Sequence, residues 1–174
     1  MQLTTLQKEE IAHFLDALEE AFPPEERRTR AAARSVLADP RYHVHVAQKD
    51  GKRVGFITLW ALNGFAFAEH FVIDPVHRNK GYGGQVLTAL KQLYPRLVLE
   101  AEPPEDALKC RRLAFYRRNG FFENDVPYLQ PSYREGESDV PLVLLSYPAP
   151  LTSPESEITE IYRTVYGREY HNKK

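Results

Sequence analysis

Between His70 and Leu93 an apolar, β-branched run stops at Asp74-Pro75, a basic glycine-rich turn follows, and a helical pattern begins. Proline cannot donate to a sheet ladder, so Asp74-Pro75 ends a strand. From Gln85 to Leu93 the apolar residues Val86, Leu87, Leu90 and Leu93 fall at helical spacing. A strand therefore feeds a glycine turn that opens a helix. Such a turn aims unpaired backbone N–H groups and the positive end of the helix dipole at one point. Gly81, Gly83 and Gly84 allow a sharp turn and close approach of a bulky anion. A Cβ at Gly81 or Gly83 is expected to fill the space such an anion needs. Arg78 and Lys80 add full charges, so the stretch suits a phosphate or pyrophosphate. It lacks the Gly-Lys-Ser/Thr ending of a P-loop, and Val86 stands where a dinucleotide fingerprint would place its third glycine.

The chain of 174 residues is expected to form one main domain, residues 1–150, followed by a helical extension, 151–174, packed on the domain or on a partner. Apolar residues make up 43% and charged ones 27%, an ordinary globular balance. The net charge of −1, from 23 basic and 24 acidic side chains, gives no field favouring nucleic acid. No run approaches membrane-spanning length. The first residues carry neither a basic n-region nor an apolar h-region, so a cytoplasmic location is expected. Cys110 is the single cysteine, which excludes an intrachain disulfide.

In order along the chain, Met1 to Thr5 reads as a short strand. Ile11, Phe14, Leu15, Leu18 and Phe22 then form an amphipathic helix with Thr5 as its expected N-cap, stopped by Pro23-Pro24. Glu25 to Ala38 reads as a second helix. Tyr42 to Ala47 alternates as a strand, Asp50-Gly51 centres a hairpin turn, Arg53 to Leu62 returns, and Asn63-Gly64 leads into Phe65 to Asp74. Leu97 to Glu100 is a short buried strand, parallel to the one before because a helix separates them. Asp106 to Asn119 is helical, Gly120 is its C-cap, and Val140 to Tyr147 closes the sheet. Ile158, Ile161, Tyr162, Val165 and Tyr166 repeat as a final helix.

Two segments carry a family resemblance. Arg78-Asn79-Lys80-Gly81-Tyr82-Gly83, preceded by strand and Asp-Pro, resembles the acyl-CoA pyrophosphate loop of the GNAT N-acetyltransferase superfamily. Leu113-Ala114-Phe115-Tyr116, continuing through Asn119-Gly120-Phe121, resembles the other half of that site. The resemblance covers roughly residues 1–148 and is most specific at 70–87 and 113–121. It implies an α+β (α/β) fold: a mixed, mostly antiparallel central sheet of about 6–7 strands flanked by helices. It also implies transfer of an acetyl group from acetyl-CoA directly to a primary amine of a small molecule or peptide.

Carried over residue by residue, the resemblance assigns cofactor contacts to Phe71, Val72 and Ile73 along the strand and to Arg78, Asn79, Lys80, Gly81, Tyr82, Gly83 and Gly84 in the loop. The family often places an asparagine seven residues before its tyrosine; here Lys109 stands there, and a lysine could reach a phosphate instead. Tyr116 matches the position of the general acid that protonates the leaving thiolate. A strand N–H near Val72 is expected to hold the oxyanion. An ammonium must lose a proton to attack, and two glutamates are candidates for taking it. Glu69 precedes the cofactor strand and by period two shares a face with Phe71 and Ile73. Glu100 ends the parallel strand and matches a catalytic glutamate of the ribosomal-protein branch. The longer loop from Glu102 to Asp106 tilts the choice to Glu69.

His43, His45, His70 and His77 lack the spacing of a metal site, so no metal is expected. Glu100, Glu102, Glu105 and Asp106 form an acidic cluster near the presumed acceptor mouth, which favours a cationic substrate. Trp60 and Tyr128 line the pocket or fill core. Three readings stand from sequence: an acetyl-CoA-dependent N-acetyltransferase, a non-catalytic acyl-CoA-binding or regulatory protein on the same fold, and an unrelated nucleotide-binding domain. Monomer and homodimer are both compatible with the pattern.

Overall fold

The hairpin chemistry of the first half builds the sheet that the rest of the chain packs on. Residues 1–134 and 136–171 are described in the computed structural model. Strand β1 (Gln2–Thr5) pairs with β2 (Tyr42–Lys49), which turns through Asp50 and Gly51, both at positive φ, into β3 (Lys52–Leu62). β3 turns at Gly64, also at positive φ, into β4 (Phe65–Ile73). Helix α3 (Tyr82–Leu93) crosses over to β5 (Leu97–Ala101), and α4 (Ala107–Arg118) leads to β6 (Phe122–Glu123). A separate pair, β7 (Leu129–Gln130) and β8 (Val140–Pro141), precedes β9 (Val143–Tyr147). The main sheet has seven strands in the order β1-β2-β3-β4-β5-β9-β6, with β4 and β5 parallel and every other pair antiparallel.

Two apolar layers cover the two faces. On one, α1 (Ile11–Ala21), α2 (Arg30–Val36) and α5 (Pro154–Ile161) bury Phe14, Leu15, Ala33, Ile158 and Ile161 against Phe56, Phe67, Val98 and Leu144. On the other, α3 and α4 bury Val86, Leu87, Leu90 and Leu113 against Ile57, Leu59, Leu99 and Leu145. A π-helical turn, Tyr162–Tyr166, continues α5, and its Tyr162 and Val165 enter the first layer. Leu151, Ile158, Ile161, Tyr162, Val165, Tyr166 and Tyr170 thus join the same core as α1 and the sheet.

Element ends depart from the sequence reading where side-chain capping decides them. Thr5 belongs to β1. The first helix is entered through a 3-10 turn, Lys8–Glu10, whose capping box is formed by Gln7 and Glu10, and α1 begins at Ile11. The second helix is shorter than Glu25 to Ala38: Pro24–Glu26 is a 3-10 turn, and Thr29 caps α2 by accepting from the Ala32 N–H. Asp106 caps α4 through the N–H groups of Leu108 and Lys109.

Candidate functional site

The parallel pair β4–β5 opens partway along its length. Ala66, Phe67 and Ala68 pair with Leu97, Val98 and Leu99, and pairing stops there, although β4 runs on to Ile73 and β5 to Ala101. A β-bulge coincides with the opening: Leu59 faces Ala68 and Thr58 faces His70, leaving Glu69 as the extra residue. A bulge resets the alternation of the strand beyond it. Thus Phe71 and Ile73 pack with the α3–α4 layer, whereas the Glu69 carboxylate lies among Arg28, Trp60 and Tyr133 on the α1 side. This corrects the expectation that Glu69 shares a face with Phe71 and Ile73.

The same register decides which amides face the gap. Asp74 N–H donates to Val54 O at 2.9 Å, and His70 N–H donates to Thr58 Oγ1 at 3.0 Å, so both point at β3. Val72 lies midway between them in period two and points the same way; its carbonyl would collide with a Cβ at Gly55. Phe71 and Ile73 therefore turn their N–H and C=O groups into the gap. Val72 is committed to β3, and the donor expected near it belongs to a neighbour.

At the far end of the gap the chain passes through a 3-10 turn, Pro75–His77, and Asn79 and Gly81 at positive φ into α3. The amides of Tyr82, Gly83 and Gly84 precede the first intrahelical bond, Gln85 N–H to Gly81 O at 3.4 Å. Arg78 Nε donates to Ile73 O at 3.1 Å and Lys80 Nζ to Val76 O at 2.8 Å, which hold two cations beside that helix end. The glycines differ in purpose. A Cβ at Gly81 meets nothing within 4 Å, so Gly81 is needed for its φ of +75°. A Cβ at Gly83 would come within 3.1 Å of Phe115, and one at Gly84 within 3.3 Å of Asn119 Oδ1. Gly83 and Gly84 thus let α3 approach α4. The missing Cβ at Gly83 makes room for protein rather than for phosphate.

A cavity of about 390 Å³ lies over the opening, lined by Glu69, Phe71, Ile73, Arg78, Glu100 and Tyr116 among others. The Glu69 side chain is fully buried. Burial alone would raise its pKa, but the ion pair with Arg28, aided by His70 and Tyr133, holds it below the usual carboxylate range. It also accepts from Trp60 Nε1 at 3.2 Å and from Tyr133 OH at 2.8 Å. Glu100 is held by phenols instead of a cation. Its carboxylate accepts from Tyr128 OH, and from Tyr166 OH at 3.0 and 2.9 Å on its two oxygens. Burial outweighs these bonds and pushes its pKa up to about 8. Tyr116 is buried on α4, and burial pushes its phenol up to about 12, so it stays protonated. The arrangement joins an anion cradle, a row of free strand amides, an elevated carboxyl and a buried phenol.

A family description, the GNAT acetyltransferase domain, matches residues 40–123, which span β2 to β6. A candidate acetyltransferase of the GNAT family from Bacteroides thetaiotaomicron matches at 30% identity and a TM-score of 0.90, over 97% of this chain and 100% of that one. This chain belongs to the GNAT family. More distant solved structures share the fold. An aminoglycoside 6'-N-acetyltransferase complexed with coenzyme A matches at 14% identity and a TM-score of 0.62, over 84% of this chain and 96% of that one. A chimera of the spermidine N-acetyltransferase SpeG from Vibrio cholerae matches at 13% and 0.62, over 84% and 94%. No curated protein matches the sequence.

In this GNAT protein the structure brings Phe71, Ile73, Arg78, Tyr116, Glu69 and Glu100 to one cavity, with Val72 among its lining. Asn79, Lys80, Gly81, Tyr82, Gly83 and Gly84 form the adjoining turn and helix start. Lys109 is not among the lining residues: its Nζ lies 2.7 Å from Glu105 and 3.8 Å from Glu102, itself a lining residue. Arg112, one turn further on, lines the cavity and pairs with Glu102. Sequence reading missed Arg28, Tyr133 and Tyr166, because each meets its glutamate across a long stretch of chain. Among the described residues no helix is long and apolar enough to cross a membrane, and no group of three His, Cys, Asp or Glu could hold a metal.

Proposed function

We propose that this GNAT protein is an N-acetyltransferase that moves an acetyl group from acetyl-CoA directly to a primary amine of a small molecule or peptide, in the cytoplasm. The observation that carries the reading is the opening between β4 and β5, where Glu100, Tyr116 and Arg78 line a single cavity. The donor set fits acetyl-CoA. The amides of Tyr82 to Gly84, with Arg78 and Lys80, suit a pyrophosphate. The gap-facing N–H and C=O of Phe71 and the N–H of Ile73 suit the amides of an extended arm, which would pair as an added strand. Bound there, acetyl-CoA supplies an activated thioester.

The chain's own groups then have distinct tasks. A Phe71 or Ile73 N–H donates to the carbonyl oxygen where negative charge develops. Glu100 takes the proton of the incoming amine. A carboxyl with a pKa of about 8 is a stronger base than an ordinary carboxylate and is still partly ionised near neutrality. Glu69, locked to Arg28 with its pKa depressed, serves instead to fix the wall of the cavity. The Tyr116 hydroxyl, kept protonated by burial at the cavity wall, donates to the departing sulfur. The carboxylates Glu26, Glu100 and Glu102 around the cavity favour an acceptor carrying positive charge.

The test is release of free thiol from acetyl-CoA over a panel of primary amines, including polyamines, aminoglycosides, amino acid amides and peptides, with mass spectrometry of the products. The expected result is amine-dependent thiol release and a product heavier by one acetyl group. Tight coenzyme A binding without turnover on any amine would instead make the protein a non-catalytic acyl-CoA binder.

A further inference from the structure

The C-terminal π-helical turn has no counterpart in that mechanism, yet it reaches the centre of the site. In α5 the residues Ile158 and Ile161 face the core, and Tyr162 and Val165 continue that face. The wider π turn accommodates about one more residue per turn than an α-helix, and within it the Tyr166 hydroxyl meets the Glu100 carboxylate; single π turns recur at functional sites. Gly167 at φ 64° ends the turn, and Arg168 N–H closes it on Tyr162 O at 3.0 Å. Arg28 donates to Val165 O at 2.6 Å while pairing with Glu69, so one guanidinium ties the turn to the bulge of β4. The Tyr133 and Tyr166 rings pack at 5.1 Å.

We infer that Tyr166 is a positioning residue for the reaction: its hydroxyl, spanning both carboxylate oxygens of Glu100, fixes the orientation of that carboxyl and sustains its ionised form. The inference rests on the reading of Glu100 as the base. The bond geometry favours it over a packing role, since a ring alone would fill the same space without touching either oxygen. Glu100 is faced by Tyr128 from the segment before β7, by Tyr166 and, more remotely, Tyr162 from the C-terminal turn, by Tyr133 after β7, by Glu69 from β4 and by Glu26 from the 3-10 turn before α2; of the tyrosines, Tyr128 and Tyr166 donate to its carboxylate. The two tyrosine hydroxyls favour the charged form; the two glutamates oppose it. Deleting one hydroxyl therefore moves the ionisation of Glu100 upward.

The experiment uses Tyr166→Phe, which keeps the ring, with Tyr162→Phe as control, because Tyr162 lies in the same turn but its hydroxyl donates to Leu129 O of β7 and not to Glu100. A 13C NMR titration of the Glu100 carboxyl in the free protein reads the effect directly and needs no acceptor. The midpoint should rise in Tyr166→Phe and stay put in Tyr162→Phe. The ratio of variant to wild-type kcat/KM, in which the ionisation of the amine cancels, should be about tenfold down near neutral pH and return towards one in strong alkali. An unmoved midpoint, or a ratio independent of pH, overturns the inference. Glu100→Gln keeps the two readings apart. If that variant has wild-type kcat/KM at all pH values, Glu100 is not the base, whatever Tyr166 does to its titration. If it is inactive while Tyr166→Phe titrates like wild type, the base stands and the positioning role falls.

Discussion

Glu69 and Glu100 lie on adjacent strands and reach one cavity, yet their surroundings drive them apart. Glu69 is neutralised by Arg28 and stays ionised; Glu100 is held by two tyrosines and has its pKa pushed up to about 8. Separation of this kind is how paired carboxyls acquire different tasks. Glu69→Gln strands the buried Arg28 guanidinium without a counterion, so thermal or denaturant unfolding should show a loss of about 3–5 kcal/mol. Glu100→Gln should do the opposite. A carboxyl whose folded pKa exceeds its unfolded value loses stability as pH rises, because the unfolded chain gives up the proton first. From about 4.5 unfolded to about 8 folded, the variant should match wild type near pH 4 and gain steadily on it up to pH 8. Equal unfolding midpoints at pH 8 would count against the raised pKa. Tyr116→Phe removes only a hydroxyl, so turnover should fall about 10²–10⁴-fold at saturating acetyl-CoA with its affinity little changed. The family resemblance pointed to Tyr116 and Glu100, and the start of the cofactor strand to Glu69; the structure places all three on one cavity. Their partners were not legible in the sequence, since Arg28 meets Glu69 across 41 positions and Tyr166 meets Glu100 across 66.

At the scale of elements, the strand–turn–helix unit was legible because each boundary is local chemistry: Asp74-Pro75 ends β4, and positive φ at Asn79 and Gly81 admits α3. The bulge was not. Nothing in Ala66-Phe67-Ala68-Glu69-His70-Phe71 breaks the alternation; the extra residue is set by how β4 pairs with Thr58 and Leu59. One slipped residue changed the face of Glu69 and moved the gap-facing amides to Phe71 and Ile73. The glycine turn shows a second limit, since a sequence cannot say which side of a glycine is crowded. Gly83→Val should force Phe115 away and separate α3 from α4, lowering stability by about 1–3 kcal/mol as overpacking does. Its coenzyme A affinity should weaken only through displacement of the helix start. At Gly81 an added Cβ meets no neighbour, but the side chain of Gly81→Val must take positive φ, so its effect should fall on the local turn. Unfolding curves and calorimetric titration of both variants check this. A Gly83→Val protein of wild-type stability would show that α3 does not need the close approach.

Across the whole molecule, two layers and one C-terminal turn converge on the opening in the sheet. The α3–α4 layer brings the anion cradle and Tyr116; the α1–α2–α5 layer brings Arg28 and Tyr166. The antiparallel half and the parallel crossover were legible from hairpin turns and helix spacing. The role of the last residues was open between domain and partner, because periodicity shows that a helix has an apolar face but not what covers it. Ile161→Ala should therefore cost about 2–5 kcal/mol, as for any fully buried core residue. The central claim is that acetyl-CoA lies in the gap and pairs with the free edge of β4. Amide hydrogen exchange followed by NMR, with and without acetyl-CoA, reads that edge residue by residue. The account predicts new protection at Phe71 or Ile73 and at Tyr82 to Gly84, with Val72 already protected and little changed. Binding that leaves Phe71, Ile73 and the start of α3 exchanging as before would contradict it.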